Sequence, residues 1–248
     1  MKFIQTIGHF GLFSGQVLKR VVTLRFPVRA MIAQTDLTTR RCLLPVVAVV
    51  FPFGMVISLQ GLQIFSLFGA ERMLASLASV AIIRELAPVL ASVLVAAQGG
   101  SANAAELGAM RIEEELDATE VMAVDSISYH VTPRVVALTI ATPLLNIIGT
   151  MAGLAGSFVT AVLFKNENAG VFLTELGSHT TSFDLWAAFI KTTIFGLIIG
   201  LVSCYLGYNA KGGAEGVGRA VNNTVVYSVL VFIAANYFLT SAFFGMAA

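Results

Sequence analysis

Charged residues are scarce in this sequence. Asp, Glu, Lys and Arg make up 12% of the 248 residues, whereas hydrophobic residues make up 57%. That charged fraction is about half the share found in an ordinary soluble domain, and the mean hydropathy is strongly positive at +0.85. The composition therefore excludes an ordinary soluble globular domain and indicates an integral membrane protein. The formal net charge of +1 says little about partners, because the charges are segregated along the chain.

The sequence has only two cysteines, and it shows neither a secretory-signal pattern nor a nucleotide-binding motif. The two cysteines, Cys42 and Cys204, lie in or near apolar segments, so neither a disulfide framework nor a cysteine metal site is predicted. The first forty residues lack an apolar core followed by a small-residue cleavage site, so no cleavable secretory signal is expected. No GxxxxGK[ST] sequence occurs, and the glycines between Asn209 and Ala220 do not follow a strand, so no phosphate-binding loop is predicted.

Long apolar stretches predict an all-α membrane protein with five transmembrane helices. A helix needs about 20 apolar residues to cross the hydrocarbon core, and the first stretch, Cys42 to Ala70, has 29 uncharged residues. Pro45 and Pro52 should kink or start that helix. Glu71 and Arg72 mark the following turn, and the polar stretch from Lys165 to Asp184 is predicted to be a loop. The predicted spans are about 43–68, 73–105, 131–164, 186–208 and 221–246.

The N-terminal region, residues 1–41, differs from the five-span domain that follows at 42–248. It contains seven Lys and Arg residues against the single acid Asp36. Its apolar residues recur at helical spacing: Phe3, Ile7, Phe10, Val17 and Val21. This pattern favours an amphipathic helix on the membrane surface with its cations toward anionic lipid. The alternative is a loose basic tail.

The distribution of Lys and Arg between the loops predicts the orientation of the spans. A cytoplasmic N-terminus places eleven of these residues on the cytoplasmic side and leaves only Arg72 and Lys165 outside. The C-terminus would then lie on the outer side. The acidic stretch between the second and third spans would face the cytoplasm.

That acidic stretch contains six carboxylates from Glu113 to Asp125. They cannot all find partners in a chain whose only nearby cations in sequence are Arg111 and Arg134. The carboxylates are therefore either a solvated face or a surface that meets a basic partner. Four apolar residues give the predicted cytoplasmic helix, 112–124, an edge suited to a partner's groove: Ile112, Leu116, Val121 and Met122.

Four polar residues are predicted at similar depth inside the membrane: Arg84, Glu85, Lys191 and Asn236. A charge at the centre of a span costs about 2.5 to 3.5 kcal/mol of insertion free energy, so charged residues there are expected to have a structural or functional role. One interpretation is that Arg84 and Lys191 snorkel to the outer interface while Glu85 neutralises one of them. The other is a polar cluster that borders a substrate pathway.

Glycines at four-residue spacing predict close helix packing. They are Gly149 with Gly153, extended by Gly156, and Gly196 with Gly200. The packing could lie within the chain or between copies of it.

Two other function classes are less well supported. An intramembrane enzyme would need catalytic groups at membrane depth, but His9, His130 and His179 fall outside span interiors, and no Ser-His or paired-Asp arrangement is evident. An ATPase-independent secondary transporter or channel remains an alternative. Many such transporters contain inverted repeats, and the five predicted spans show no convincing internal symmetry.

Five sequence strings carry a resemblance to a known family: RELAPVLASVLVA (84–96), GSANAAELGAMRIEEELDATEVMAVD (100–125), PRVVA (133–137), YNAKGGAEGVGRAV (208–221) and TVVYS (224–228). In their order and spacing, these strings resemble the MlaE/YrbE permeases of lipid-transporting ABC systems that work with MCE-domain proteins. The first 80 residues match only in layout. Gln98, in AAQGG, stands where many members have Arg, which is closer to the actinobacterial YrbE type.

The resemblance implies a permease subunit, with no catalysis of its own, in the bacterial cytoplasmic membrane. Its expected features are an N-terminal elbow helix, five spans and a coupling helix at 112–124. Its expected partners are a cytoplasmic ABC ATPase that binds ATP and magnesium, a second permease that is identical or different, and MCE-domain proteins on the outer side. The chain itself would bind no cofactor and no nucleic acid. The transported lipid would be of the phospholipid, fatty-acid or sterol class.

The resemblance also assigns roles to residues. The expected ATPase-coupling residues are Glu113, Glu114, Glu115, Leu116, Asp117, Glu120 and Met122. The polar residues near the lipid pathway are Arg84, Glu85, Lys191 and Asn236. Asn236 stands where many members have Asp, which leaves the cluster of Arg84, Lys191 and Glu85 with one positive charge in excess. This excess suggests that the cluster attracts an anionic headgroup or a fatty-acid carboxylate, or that the partner permease supplies an acid.

Overall fold

The structure, a computed structural model, describes residues 2–23, 27–70, 73–165 and 167–245, with side chains from residue 8 onward. These residues form helices and short connections, and no strand occurs among them. The predicted turn at Glu71 and Arg72 lies outside the described residues, as do the side chains of Phe3 and Ile7.

Five helices are long and apolar enough to cross a membrane, which confirms the predicted number. They are α2 (Val28–Ser66), α3 (Leu74–Ile112), α5 (Ile127–Phe164), α7 (Ser182–Tyr208) and α8 (Gly213–Phe244). The other helices are α1 (Lys2–Val22), α4 (Glu115–Val121) and α6 (Ala169–His179). The all-helical class with an N-terminal helix is thus as predicted.

The long helices extend beyond the predicted spans. Helix α2 begins at Val28, inside the region predicted as interfacial, and contains both Pro45 and Pro52. Helix α3 continues past Glu106 to Ile112. Charges along a sequence indicate where a helix leaves hydrocarbon, but the backbone hydrogen bonds continue into the polar region. The charge pattern therefore underestimates helix length.

Wide π-helical turns interrupt two of the spans. Helix α3 contains them at Ser79–Leu86 and Ala96–Gly100, and α5 contains them at Ile127–Val131 and Val159–Phe164. Such turns are rare in proteins as a whole, and those that occur often lie at functional sites. The first of them carries Arg84 and Glu85.

The predicted loop between Lys165 and Asp184 contains a helix, α6. Asn168 caps it, because its Oδ1 accepts hydrogen bonds from the backbone N–H groups of Gly170 (2.9 Å) and Val171 (3.3 Å). Phe172 is buried on one face, in a cluster with Leu62, Leu74, Ala75 and Ala161. Asn before an apolar run was the sequence signal for this helix.

The chain divides into two compact units. The first contains Met1–Arg41, Val95–Ala141 and Ile194–Ala235. The second contains Cys42–Leu94, Thr142–Thr193 and Asn236–Ala248.

In the first unit, α1 packs its apolar face on the protein. Phe13 and Val17 are buried in a cluster whose other members are Leu107, Val131, Val135, Leu201 and Cys204. Phe10 and Phe13 also meet the ring of Tyr205 edge-on, with centroids 5.2 and 5.5 Å apart. Leu12 and Val22 are exposed on α1. The predicted helix therefore exists, and the face that contains Val17 contacts the protein.

In the second unit, glycines bring α2 and α5 into close contact. A Cβ placed on Gly54 would lie 2.0 Å from the carbonyl oxygen of Gly153, and one on Gly156 would lie 2.1 Å from that of Phe51. The hydroxyls of Ser58 and Ser157 hydrogen-bond across the same contact. The glycine spacing of α5 thus serves packing within the chain.

Candidate functional site

Lys191 is the centre of a polar cluster in the second unit. Its side chain is 0% exposed. The ammonium Nζ donates to Glu85 Oε1 (3.0 Å), to the backbone oxygen of Arg84 (3.0 Å) and to Thr240 Oγ1 (2.7 Å). All three donor hydrogens of the ammonium therefore have an acceptor. Lys191 does not snorkel to an interface.

Glu85 accepts three hydrogen bonds from two other spans. Asn236 Nδ2 donates to its Oε2 (3.0 Å), and Thr240 Oγ1 donates to its Oε1 (2.8 Å), in addition to the Lys191 bond. These contacts join α3, α7 and α8 through one carboxylate. The structure thus brings Glu85, Lys191 and Asn236 together, as their predicted depths suggested.

Arg84 belongs to the same group but pairs with a residue that sequence reasoning missed. Its Nε lies 3.0 Å from Oδ1 of Asp184, whose side chain is 2% exposed. The guanidinium also lies over the ring of Phe244, 4.6 Å from the centroid. Asp184 further accepts hydrogen bonds from the backbone N–H (3.0 Å) and hydroxyl (2.9 Å) of Thr181.

Asp184 corrects the predicted charge balance. The cluster contains two cations, Arg84 and Lys191, and two carboxylates, Glu85 and Asp184, so it has no positive excess. The predicted excess of one positive charge is therefore wrong. The sequence had placed Asp184 at the end of a polar loop, where it looked like a solvated residue. In the structure it lies in the first turn of α7.

An open cavity of about 860 Å³ lies in the same unit, between α5, α6 and α7. Its walls are mostly apolar, and the polar residues among them include Asn146 and Thr150. Ile83 and Leu185 line it and are the sequence neighbours of Arg84 and Asp184. No sequence signal indicated this cavity, because part of it depends on α6, which was predicted as a loop.

The acidic segment in the first unit is a short helix between two left-handed residues. Helix α4 spans Glu115–Val121, and Glu114 and Ala123 have φ angles of 61° and 58°. Glu115 and Asp117 lie in the first turn of α4, where negative charge is favourable because of the helix dipole. The predicted helix 112–124 is therefore divided at Glu113 and Glu114.

This division changes which residues are accessible. Leu116 was predicted to contact a partner, but its side chain is 0% exposed, so it anchors α4 to its own unit instead. Val121 and Met122 are 87% and 69% exposed. Glu113, Glu114 and Glu115 are exposed, and no ion pair involving them occurs in the part of the chain that the structure describes.

The remaining carboxylates tie α4 to neighbouring helices. Asp117 Oδ1 accepts from Arg111 Nη1 at 2.5 Å, and Glu120 Oε1 accepts from the hydroxyl of Tyr208 at 3.0 Å. Arg111 and Tyr208 also lie close together, with the guanidinium 5.8 Å from the ring centroid. Arg134, the other cation near this segment in sequence, contacts Glu106 at 3.4 Å.

Asp125 connects the segment to α1 through Arg20, a cation that is distant in sequence. Arg20 donates to it from Nε (2.6 Å) and Nη2 (3.0 Å). Burial alone would raise the pKa of Asp125, but the hydrogen bonds from Arg20 and Ser128 outweigh it and lower this pKa below its ordinary value. A lowered pKa means that the pair contributes stability at neutral pH and loses it only as the pH falls through that pKa.

Within residues 2–23, 27–70, 73–165 and 167–245, no group of three or more His, Cys, Asp or Glu residues could hold a metal ion.

Comparison with known proteins decides the family. The family model described as Permease MlaE matches residues 31–242. The chain belongs to the MlaE permease family. It is a multi-pass protein of the bacterial inner membrane, in agreement with its five helices that are long and apolar enough to cross a membrane.

Relatives of this MlaE-family chain come from several lineages. A probable ABC transporter permease protein of Rickettsia prowazekii is 37% identical over 98% of this chain and 94% of its own length. The intermembrane phospholipid transport system permease protein MlaE of Haemophilus influenzae is 31% identical over the same shares of the two chains. The Arabidopsis thaliana chloroplastic protein TRIGALACTOSYLDIACYLGLYCEROL 1 is 32% identical over 94% of this chain and 67% of its own. The similarity to the actinobacterial YrbE type stays a prediction.

Proposed function

We propose that this chain is the non-catalytic permease subunit of an ATP-driven lipid transporter. A separate cytoplasmic ATPase would bind ATP and magnesium, and a second permease and MCE-domain proteins would complete the assembly. Two relatives named as ABC transporter or phospholipid transport permeases support this proposal. The substrate class is a membrane lipid.

The observation that carries the proposal is the exposed surface of the acidic segment. Glu113, Glu114 and Glu115 are exposed and adjacent, and Val121 and Met122 present apolar side chains a few residues later. A carboxylate patch beside apolar side chains suits a partner surface with basic residues around an apolar groove. We infer that the ATPase docks here.

The internal contacts of α4 suggest how a push on it would be transmitted. The buried side chain of Leu116 anchors α4 in its unit. Asp117 pairs with Arg111 of α3. Glu120 accepts a hydrogen bond from the hydroxyl of Tyr208 in α7. Because these contacts hold α4 to two span helices, a displacement of α4 by the ATPase would move the ends of both.

Transport then requires two shapes of a lipid cavity with different affinities for the lipid. Spans α2, α3 and α8 would reshape a mostly apolar cavity at the permease interface. The cluster of Arg84, Glu85, Lys191 and Asn236 would border the lipid pathway. Because Asp184 completes this cluster and makes it electrically neutral, the cluster would hold α3, α7 and α8 in register and offer polar contacts without a net charge.

A charge reversal tests the docking proposal. Glu114→Lys with Glu115→Lys should reduce the ATPase that co-purifies with the permease by about tenfold or more, because like charges across an interface cost several kcal/mol. Neither side chain has an ion-pair partner to lose in the described structure, so the spans should stay folded. The measurement is the ratio of ATPase to permease after affinity purification.

Glu175→Lys is the matched control, because Glu175 lies in α6 and contacts only the nearby His179 at 3.6 Å among the described ion pairs. It should leave the ratio unchanged. Full co-purification of the ATPase with the double variant would contradict the proposed docking surface.

The proposed orientation places α4 in the cytoplasm and α6 outside, following the distribution of Lys and Arg. The native thiols, Cys42 and Cys204, are both buried, so they should give little background labelling. In spheroplasts, a membrane-impermeant maleimide should label Ser178→Cys, in α6, without permeabilisation. It should label Asn209→Cys, between α7 and α8, only after permeabilisation. The reverse pattern would overturn the orientation.

A further inference from the structure

Three charged residues mark the boundary of the hydrocarbon core in three of the spans. Arg41 is the last charged residue of α2, and no charge follows it to the end of that helix. Glu106 is the first charged residue of α3 after the uncharged stretch 86–105. Arg134 is the last charged residue of α5 before the uncharged stretch 135–164. Because charged side chains are costly inside hydrocarbon, these residues mark the level at which the spans reach the lipid headgroups.

The three side chains meet in the first unit. Arg41 Nη1 lies 3.3 Å from Glu106 Oε1, and Arg134 Nη2 lies 3.4 Å from Glu106 Oε2. Helix α4 connects α3 to α5, so the meeting point lies at the ends of the spans next to α4. One carboxylate is therefore shared between two guanidiniums at the level of the lipid phosphates.

This arrangement leaves one positive charge in excess, since two cations share one carboxylate. Elsewhere in the unit, Arg20 with Asp125 and Arg40 with Asp36 form pairs of one cation and one anion, at 2.6 and 2.8 Å. Both contacts to Glu106 are longer than the about 2.7 to 2.9 Å of a strong charged hydrogen bond. The carboxylate therefore does not satisfy both guanidiniums, and a second anion would be favourable.

Arg41 is the cation that can bind a second anion. Its side chain is 44% exposed, and Glu106 is the only hydrogen-bond or ion-pair partner that it has among the described residues. Arg134 is more firmly held, because its side chain is 16% exposed and its Nη1 donates to the backbone oxygen of His130 at 2.8 Å. Arg41 thus offers accessible N–H groups, whereas Arg134 fixes the position of the carboxylate.

We propose that Arg41 binds the phosphate of an anionic phospholipid, while Arg134 holds Glu106 beside it. A guanidinium can bind a phosphate through two parallel N–H bonds. Phospholipid phosphates are also the anions that a bilayer supplies at this level. A lipid with a net negative charge is favoured over a zwitterionic one, because it neutralises the excess positive charge of the site.

This site goes beyond the proposed transport function. It is formed within one unit of one chain, so binding there needs neither the ATPase nor a second permease. It also does not depend on the orientation of the spans, because lipid can be supplied from either side. A failure of the docking proposal would leave this one standing, and the reverse is also true.

Native mass spectrometry of the full chain in a neutral detergent tests the proposal. The chain is titrated separately with dioleoylphosphatidylglycerol, which has a net negative charge, and with dioleoylphosphatidylcholine, which has the same chains and no net charge. The first phosphatidylglycerol should bind with a dissociation constant about fivefold lower, the size expected for one cation acting on an anionic lipid. Equal dissociation constants for the two lipids would overturn the proposal.

Arg41→Gln removes the guanidinium and should raise the dissociation constant for phosphatidylglycerol about tenfold, as is typical for the loss of a hydrogen bond to a charged group. Arg40→Gln is the matched control, because it makes the same change of charge at a guanidinium that already pairs with Asp36. It should change the constant by less than about twofold. Equal effects of the two variants would mean that overall charge attracts the lipid, and would overturn the site.

Glu106→Gln should act in the opposite direction. It removes the competing carboxylate, so the dissociation constant should fall about fivefold. A gain in affinity cannot result from misfolding. Glu215→Gln makes the same change of charge elsewhere in the unit, 3.7 Å from Arg219, and should leave the constant unchanged. A Glu106→Gln chain that binds phosphatidylglycerol no more tightly than the wild-type chain would contradict the proposal.

Inorganic phosphate identifies the source of the anion. At the same concentration as the lipid it should not displace phosphatidylglycerol, because a free ion lacks the hydrocarbon chains that contact the spans. Displacement under these conditions would assign the site to a soluble anion and overturn the lipid assignment.

Discussion

Replacing Lys191 by methionine should lower the free energy of unfolding by about 3 kcal/mol. Removing one partner of a buried ion pair typically costs about 3 to 5 kcal/mol, because the other charge is left without compensation. Glu85 keeps its bonds from Asn236 and Thr240 and is partly exposed, so the lower end of that range applies. The measurement is thermal and denaturant unfolding of the purified chain in detergent.

A second substitution identifies the cause. Glu85→Gln in the Lys191→Met background removes the uncompensated charge, so the double variant should be more stable than Lys191→Met alone. Lys165→Met is the control, because Lys165 is exposed and no ion pair to it is found in the described structure. It should change stability by less than about 0.5 kcal/mol. A double variant less stable than Lys191→Met would show that the pair is not the source of the loss.

Replacing Gly54 by alanine should destabilise the chain by about 3 kcal/mol, since overpacking a core typically costs about 1 to 3 kcal/mol. Its new Cβ would lie 2.0 Å from the carbonyl oxygen of Gly153, and backbone cannot swing aside as a side chain can. Helices α2 and α5 would have to separate. This separation would also weaken the hydrogen bond between Ser58 and Ser157.

The control substitution should change stability in the opposite direction. Gly177 lies in α6, and a Cβ added there meets no atom within 4 Å. Gly177→Ala should therefore raise stability, by up to about 1 kcal/mol, because alanine is a better helix former than glycine. Both variants are compared by the same unfolding measurement. Equal stability of Gly54→Ala and the wild-type chain would mean that the two helices are not held at this distance.

The number and approximate positions of the spans could be predicted because they depend on composition over about 20 residues. The grouping of Glu85, Lys191 and Asn236 followed from the same reasoning, since antiparallel spans bring equal depths together. The role of Asp184 could not be predicted. A carboxylate at the end of a polar stretch looks the same in sequence whether it is solvated or pairs with an arginine from another helix.

The accessible face of the acidic segment depends on one dihedral angle. A continuous helix over 112–124 would place Ile112 and Leu116, four residues apart, on a shared face. The left-handed conformation of Glu114 interrupts the helix, so the helical phase restarts at Glu115 and Leu116 turns inward. Glutamate has no marked preference for that conformation, and no residue pattern in the segment indicated the break.

The wide turn at Ser79–Leu86 has a consequence for length variation in this span. A π turn closes a hydrogen bond from residue i to i+5, whereas an α turn closes it from i to i+4. Deleting one residue within this turn would therefore leave an ordinary α turn and keep the flanking segments in phase. The same deletion within Ala87–Val95 would rotate one flank by about 100°. Natural insertions and deletions in this span should therefore concentrate in its π turns.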